Sequence, residues 1–212
     1  VGPPGAGKST IAAQLASLLP AALLPMDGFH LPQAQLVELG RRDRMGAPDT
    51  FDVDAFIDVL SRLRDFENSG DRILAPGFDR EIEEPVPDAI EISPEFPYVV
   101  VEGNYLLLEA GGWERAAALL DVAFFVDVPD DIRVPRLVAI LFKRRHQAGE
   151  VLAWFGGRNA QKEPIRYPSR SYSFLRQTTS RSGNAHNPQP RKDPTQRCLA
   201  ALGKCDHARQ KR

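Results

Sequence analysis

Residues Gly2–Ser9 read Gly-Pro-Pro-Gly-Ala-Gly-Lys-Ser, a complete G-x-x-x-x-G-K-[S/T] stretch. Such a stretch commits the chain to a tight loop that opens straight into a helix. Glycines let the backbone curl closely enough to turn successive N–H groups onto anionic oxygens. Lys8 reaches the β and γ phosphates of a bound nucleotide, and the Ser9 hydroxyl is placed to ligate Mg²⁺. The helix adds its positive end at the same point. The required context follows at once, because Ser9–Leu19 carries apolar residues at helical spacing and Pro20 stops it. The alternative, a Gly/Pro-rich turn that fits the pattern by chance, does not predict that helix. Gly2, Pro3, Pro4, Gly5, Ala6, Gly7, Lys8, Ser9 and Thr10 are therefore the predicted nucleotide-binding residues, with a nucleoside triphosphate and Mg²⁺ as the implied ligands.

Only Val1 precedes the loop. A phosphate-binding loop normally follows a buried strand, so the expectation is a truncated first strand and a chain less stable than its parent.

At 212 residues the chain suffices for one α/β domain with a tail. No run of about 18 apolar residues occurs, so no membrane span is expected. Charge is split sharply. Residues 1–140 hold 11 Lys/Arg against 24 Asp/Glu, and residues 141–212 hold 16 against 4. Cys198, Cys205 and His207 match no usual zinc spacing. The two cysteines read as free thiols, which suits a reducing, cytoplasmic location.

The pattern beyond the loop alternates strands with helices. Ala21–Leu24 is a short apolar strand that runs into Met26-Asp27-Gly28-Phe29-His30, followed by a short helix over Pro32–Leu39 and a polar loop over Gly40–Phe51. Asp52 caps a helix from Val53 to about Glu67. Ile73–Ala75 is a further strand, and Ile82–Ile92 suggests a surface hairpin. Tyr98–Glu102 is a β-branched run with the signature of a strand buried on both faces. A helix around Glu114–Leu120, a strand over Val122–Val128 and a helix from Asp130 to about Gln147 complete the pattern. The fold class is α/β, a three-layer α/β/α arrangement around a parallel sheet. Gly2–Ser9, Asp27 and Glu102 then fall together at the carboxyl ends of the strands.

Glu102 ends the Tyr98–Glu102 strand, where a carboxylate holds Mg²⁺ directly or through water; the alternative is a solvated strand end. Asp27 also lies just past an apolar strand, where a carboxylate can accept the proton of an attacking hydroxyl. An Asp-Gly pair is equally a plain turn.

Taken together, Met26–His30, Arg44-Met-Gly-Ala-Pro-Asp-Thr-Phe-Asp52, Pro76-Gly-Phe-Asp-Arg80 and Val101-Glu-Gly-Asn-Tyr-Leu-Leu-Leu108 resemble the phosphoribulokinase/uridine kinase/pantothenate kinase family. The nearest branch is bacterial nucleoside/nucleotide-kinase-like proteins, some linked with fructose transport. The resemblance spans roughly residues 1–140. It implies Asp27 as catalytic base, Lys8 and the loop as phosphate clamp, and Ser9 with Glu102 at the metal. It places Asp27, His30, Asp49, Asp52, Arg80 and Tyr105 on the acceptor side. Arg133 and Arg136 fall where such kinases carry a lid, and Arg136 is taken as the catalytic lid arginine; a solvated helix position is the alternative for either. Arg44 reads as solvated, and His30 reads equally as an ordinary loop histidine.

From about Leu141 the family pattern stops and the composition turns basic. A kinase domain over 1–147 and a poorly ordered tail over 148–212 are expected. The tail reads either as a nucleic-acid-binding extension or as the product of an altered reading frame, and the absence of any RNA-binding signature favours the second. The implied activity is ATP-dependent transfer of a phosphoryl group to the hydroxyl of a small molecule. The alternative is a nucleotide-binding remnant without transfer. The sequence names neither the acceptor nor an oligomeric state.

Overall fold

The computed structural model describes residues 1–66, 70–144 and 173–176. Helix α1 spans Lys8–Leu18 and strand β1 spans Ala21–Pro25. A single 3-10 turn over Met26–Phe29 follows, then the short helix α2 over Gln33–Glu38 and helix α3 over Val53–Arg64. Strands β2 (Ile73–Asp79), β3 (Glu84–Ile92), β4 (Tyr98–Glu102) and β5 (Phe124–Asp127) come next. Helix α4 is described from Asp130 to Arg144, and strand β6 covers Ser173–Arg176.

The strands that position the loop are parallel. β1 pairs with β4 from Ala21↔Tyr98 to Pro25↔Glu102, which brings the carboxyl ends of both strands to one edge. Val1 lies beside β5, donating to the Phe124 carbonyl at 2.8 Å and accepting from the Val126 amide at 2.7 Å. β5 in turn pairs in parallel with β6. α1 packs against β1 and β4. One apolar core gathers Leu24, Met26, Phe29, Phe56, Leu106 and Trp113; a smaller one holds Ala6 of the loop against Val126 and Val128. Burying each large apolar side chain contributes about 1.5–3 kcal/mol, so the turn after β1 is anchored in the first cluster and the loop in the second.

Several elements differ from what the sequence suggests. The hairpin lies not within Ile82–Ile92 but between β2 and β3, which pair antiparallel from Ile73↔Ile92 to Asp79↔Glu84. Pro76 shifts the register between Ala75 and Gly77, because a proline cannot donate to the ladder and is accommodated at a bulge. The expected helix around Glu114–Leu120 is instead two 3-10 turns, Trp113–Arg115 and Ala117–Leu119. Gly112 at φ 90° and the extended Leu120 confine the segment to seven residues, too few for an α-helix to propagate. β4 is less enclosed than its β-branched run implies: Tyr98 is exposed, Val99–Val101 are half-buried, and only Glu102 is buried. β6 is a regular strand inside the segment expected to be irregular. The rest of the basic tail, Cys198, Cys205 and His207, and the expected ends of α3 at Glu67 and α4 at Gln147 lie outside the described residues. Among the described residues no helix is long and apolar enough to cross a membrane.

Candidate functional site

Gly5 and Gly7 both adopt left-handed backbone, at φ 81° and 84°. This curls the loop and leaves Gly7 as the residue preceding α1 without any side-chain cap. No side chain therefore competes for the free amides at the start of the helix, and a hypothetical Cβ at Gly7 would meet nothing within 4 Å. An open cradle of N–H groups at a helix start is what an oxyanion needs. The Lys8 Nζ bridges the loop by donating to the Pro3 carbonyl at 3.1 Å. Burial pushes its pKa below the ordinary 10.5, while the nearby Glu102 and Asp27 carboxylates act against that. Phosphate oxygens at the loop would favour the charged form of Lys8 in the same way as these carboxylates.

Two carboxylates face the loop from adjacent strand ends. Glu102 is 7% exposed and accepts a hydrogen bond from the Ser9 hydroxyl at 2.9 Å. That contact joins α1 to β4 across 93 residues of sequence. Asp27 projects from the turn that follows β1; in this turn Met26 and Phe29 are buried and Gly28 lies against β2. A Cβ at Gly28 would stand 2.0 Å from the Pro76 carbonyl oxygen, so no other residue fits there without moving main chain. Gly103 plays the same part after Glu102, where a Cβ would come within 2.6 Å of Met26 Cβ. Gly28 admits the backbone of β2, and Gly103 the side chain of Met26. The Asp-Gly pair is thus a packed junction as well as a turn.

The remaining predicted residues divide. Arg80 donates to Asp27 Oδ2 at 2.6 Å, with its guanidinium 5.9 Å from the centre of the Phe78 ring. The His30 ring nitrogen Nδ1 lies 2.8 Å from the Asp27 carbonyl oxygen, and burial lowers the ring's pKa below 6.5. These two residues join Asp27. Tyr105 is buried and donates to the Gly46 carbonyl at 2.5 Å, which fastens the loop between α2 and α3. Asp49 forms exposed ion pairs with Arg44 and with Arg41 in that loop. Asp52 accepts from the Ala55 amide at 2.9 Å and caps α3. Arg133 on α4 donates to the Pro4 carbonyl at 3.3 Å and to Asp130. Of the two lid candidates it is the one that touches the loop. Arg136 is exposed and makes no hydrogen bond or ion pair among the described residues.

Two residues that the sequence did not single out hold the loop between α2 and α3. Thr50 is fully buried, accepting from the Gly46 amide and donating to the Ala47 carbonyl. The Trp113 indole N–H donates to the Pro48 carbonyl at 3.1 Å. Thr50 could have been suspected from its place inside Pro-Asp-Thr-Phe-Asp; Trp113 lies 63 residues further on and carries no local signal.

Ser9 and Glu102 present the hard oxygen donors that Mg²⁺ prefers. No group of three or more His, Cys, Asp or Glu residues able to hold a metal occurs among the described residues. The donor set therefore suits an ion shared with phosphate oxygens and water, the usual manner for Mg²⁺.

A glycine-rich loop entering a helix, backed by parallel strands that end in carboxylates, defines a P-loop kinase fold. Known proteins agree. The chain is 42% identical over 118 residues to an ATP-dependent kinase-like protein of Aspergillus versicolor, covering 53% of this chain and 69% of that one. It is 34% identical over 150 residues to a putative uridine kinase of Schizosaccharomyces pombe, covering 64% and 62%. The crystal structure of a putative fructose transport system kinase from Silicibacter sp. TM1040 superimposes with a TM-score of 0.63 at 37% identity, covering 72% of this chain and 74% of that one. No protein-family model matches. The chain belongs to the phosphoribulokinase/uridine kinase/pantothenate kinase family of P-loop kinases, and it spans about three fifths to two thirds of the length of these curated relatives.

Proposed function

We propose that the protein transfers the γ-phosphoryl group of ATP to a hydroxyl of a small molecule of nucleoside, sugar or pantothenate type. The observation that carries this reading is the convergence of Asp27 and the Ser9–Glu102 pair beside Lys8 at the ends of β1 and β4. The loop amides and Lys8 hold the β and γ phosphates. Ser9 and Glu102 would hold Mg²⁺, which when bound would supply neutralising positive charge to the phosphates. Asp27 accepts a hydrogen bond from the acceptor hydroxyl, orients its oxygen toward the γ-phosphorus and takes its proton as the new P–O bond forms and the bond to the β-phosphate oxygen breaks, with ADP as the leaving group. Phosphoryl transfer passes through a loose transition state, so positioning and charge stabilisation supply most of the rate. Arg133, already against the loop, is the better placed of the two α4 arginines to stabilise charge on the moving group.

The test is ADP release from Mg-ATP by the purified chain with nucleosides, hexoses and pantothenate, alongside Asp27→Asn. Acceptor-dependent turnover that vanishes in Asp27→Asn, with ATP binding retained, is expected. ATP binding with no acceptor-dependent turnover for any compound would leave a nucleotide-binding remnant instead.

A further inference from the structure

Asp27 is held at both ends by a stack of side chains drawn from three separate segments. The His30 ring centre lies 4.0 Å from that of Phe51, just before α3, and 4.8 Å from that of Phe78 on β2. Arg80 sits over the outer part of the same stack, beside Phe78, and grips the Asp27 carboxylate. At the other end of the residue, the Asp27 carbonyl takes two hydrogen bonds from His30. One comes from its backbone N–H at 3.2 Å, closing the turn, and one involves its ring Nδ1 at 2.8 Å. A carbonyl can only accept, so Nδ1 carries the proton. His30 and Phe51 also form an isolated antiparallel bridge, with Leu31 donating to Thr50 and Asp52 to Phe29. The ring therefore packs against two phenylalanines, and its Nδ1 is spent on the turn.

We propose that His30 is a positioning residue for Asp27: its Nδ1–H, clamped between Phe51 and Phe78, sets the backbone of the turn from which the Asp27 carboxylate projects. This assignment rests on the kinase reading of Asp27 and replaces the direct acceptor contact expected for His30 from the sequence. Removing the ring donor leaves the turn with one bond where it had two. Misplacement of a reacting group by about 1 Å can reduce the rate about 100-fold.

His30→Asn and His30→Gln discriminate the role. The asparagine amide nitrogen falls near the position of Nδ1, whereas the glutamine nitrogen falls near Nε2. His30→Asn is expected to keep kcat within a few-fold of the parent, while His30→Gln loses it about 100-fold, with the Kd for Mg-ATP unchanged in both. A second readout needs no acceptor: amide hydrogen exchange across residues 26–30 should accelerate in His30→Gln and not in His30→Asn. Equal exchange in the two variants would overturn the positioning role, as would equal loss of kcat. Differential exchange in a parent that turns over no acceptor would keep the positioning role and remove the kinase reading. Loss of ATP binding in His30→Gln, with exchange raised throughout the chain, would make His30 a general stabiliser and refute the proposal.

Discussion

Replacing Gly28 with alanine separates a packed junction from a permissive turn. The new Cβ would stand 2.0 Å from the Pro76 oxygen, 2.7 Å from its carbonyl carbon and 3.2 Å from Gly77 Cα. An ordinary carbon–oxygen contact needs about 3.3 Å, so roughly 1.3 Å must be found by moving main chain. Neither side yields easily. The turn is pinned by buried Met26 and Phe29, with Phe29 edge-on to Phe56 at 5.0 Å. Pro76 is held in the bulge of the β2–β3 pair. Overpacking of this kind costs about 1–3 kcal/mol, which for a domain of this size lowers Tm by about 2–4 °C per kcal/mol. Because Asp27 is the neighbouring residue, the displacement also reaches the carboxylate, and kcat is expected to fall about 100-fold. The phosphate loop lies on a different segment, so the Kd for Mg-ATP should stay within a few-fold. Urea unfolding at constant m gives the stability change, steady-state ADP release gives kcat, and equilibrium titration gives the ATP affinity. A Gly28→Ala protein with parental stability and parental kcat would refute the packing argument. A large loss of ATP affinity with kcat preserved would show that the turn and the loop are coupled in a way the geometry does not account for.

Three further outcomes are expected. Asp52→Ala removes the cap of α3 and should cost about 1 kcal/mol in urea unfolding with KM for the acceptor unchanged; a raised KM at parental stability would return Asp52 to the acceptor site. Trp113→Phe leaves the Pro48 carbonyl without its indole donor and should destabilise by about 1–3 kcal/mol, with faster amide exchange over residues 46–50; unchanged exchange there would show that the contact does not hold the loop. Burial lowers the Lys8 pKa below 10.5, so between the lowered value and 10.5 the unfolded chain binds more protons than the native one. Apo stability should rise with pH in that window, while ATP affinity should fall as Lys8 loses its charge; an ATP Kd flat up to pH 10.5 would contradict the role given to Lys8.

How far the sequence reveals this site depends on how local each signal is. The loop is legible because every element of it, from Gly5 and Gly7 to Lys8 and Ser9, sits within eight consecutive residues and does one physical job. Tyr98–Glu102 is legible because a β-branched run followed by Glu-Gly is a local pattern, and β4 has the bounds the sequence suggests. The hairpin is misread because its partner strand carries Pro76, and only the tertiary pairing shows that the proline sits at a bulge. Asp52 looks like a site residue because it lies in a family motif, yet its geometry is that of a helix cap, and both roles use the same carboxylate. Arg133 and Arg136 cannot be separated by spacing alone. One turn of helix decides which of them meets Pro4, and that depends on how α4 lies over the loop. Trp113 is silent in sequence because its partner is 65 residues away.

In the proposed function, Asp27 directs a phosphoryl group to a hydroxyl and not to water. The most direct measurement follows the γ-phosphorus of Mg-ATP by ³¹P NMR in the presence of a turned-over acceptor, for the parent and for Asp27→Asn. The prediction is a phosphate monoester of the acceptor formed in step with ADP by the parent, and ATP bound but left intact by Asp27→Asn. Inorganic phosphate as the sole product of the parent, or monoester formed at the parental rate by Asp27→Asn, would contradict it.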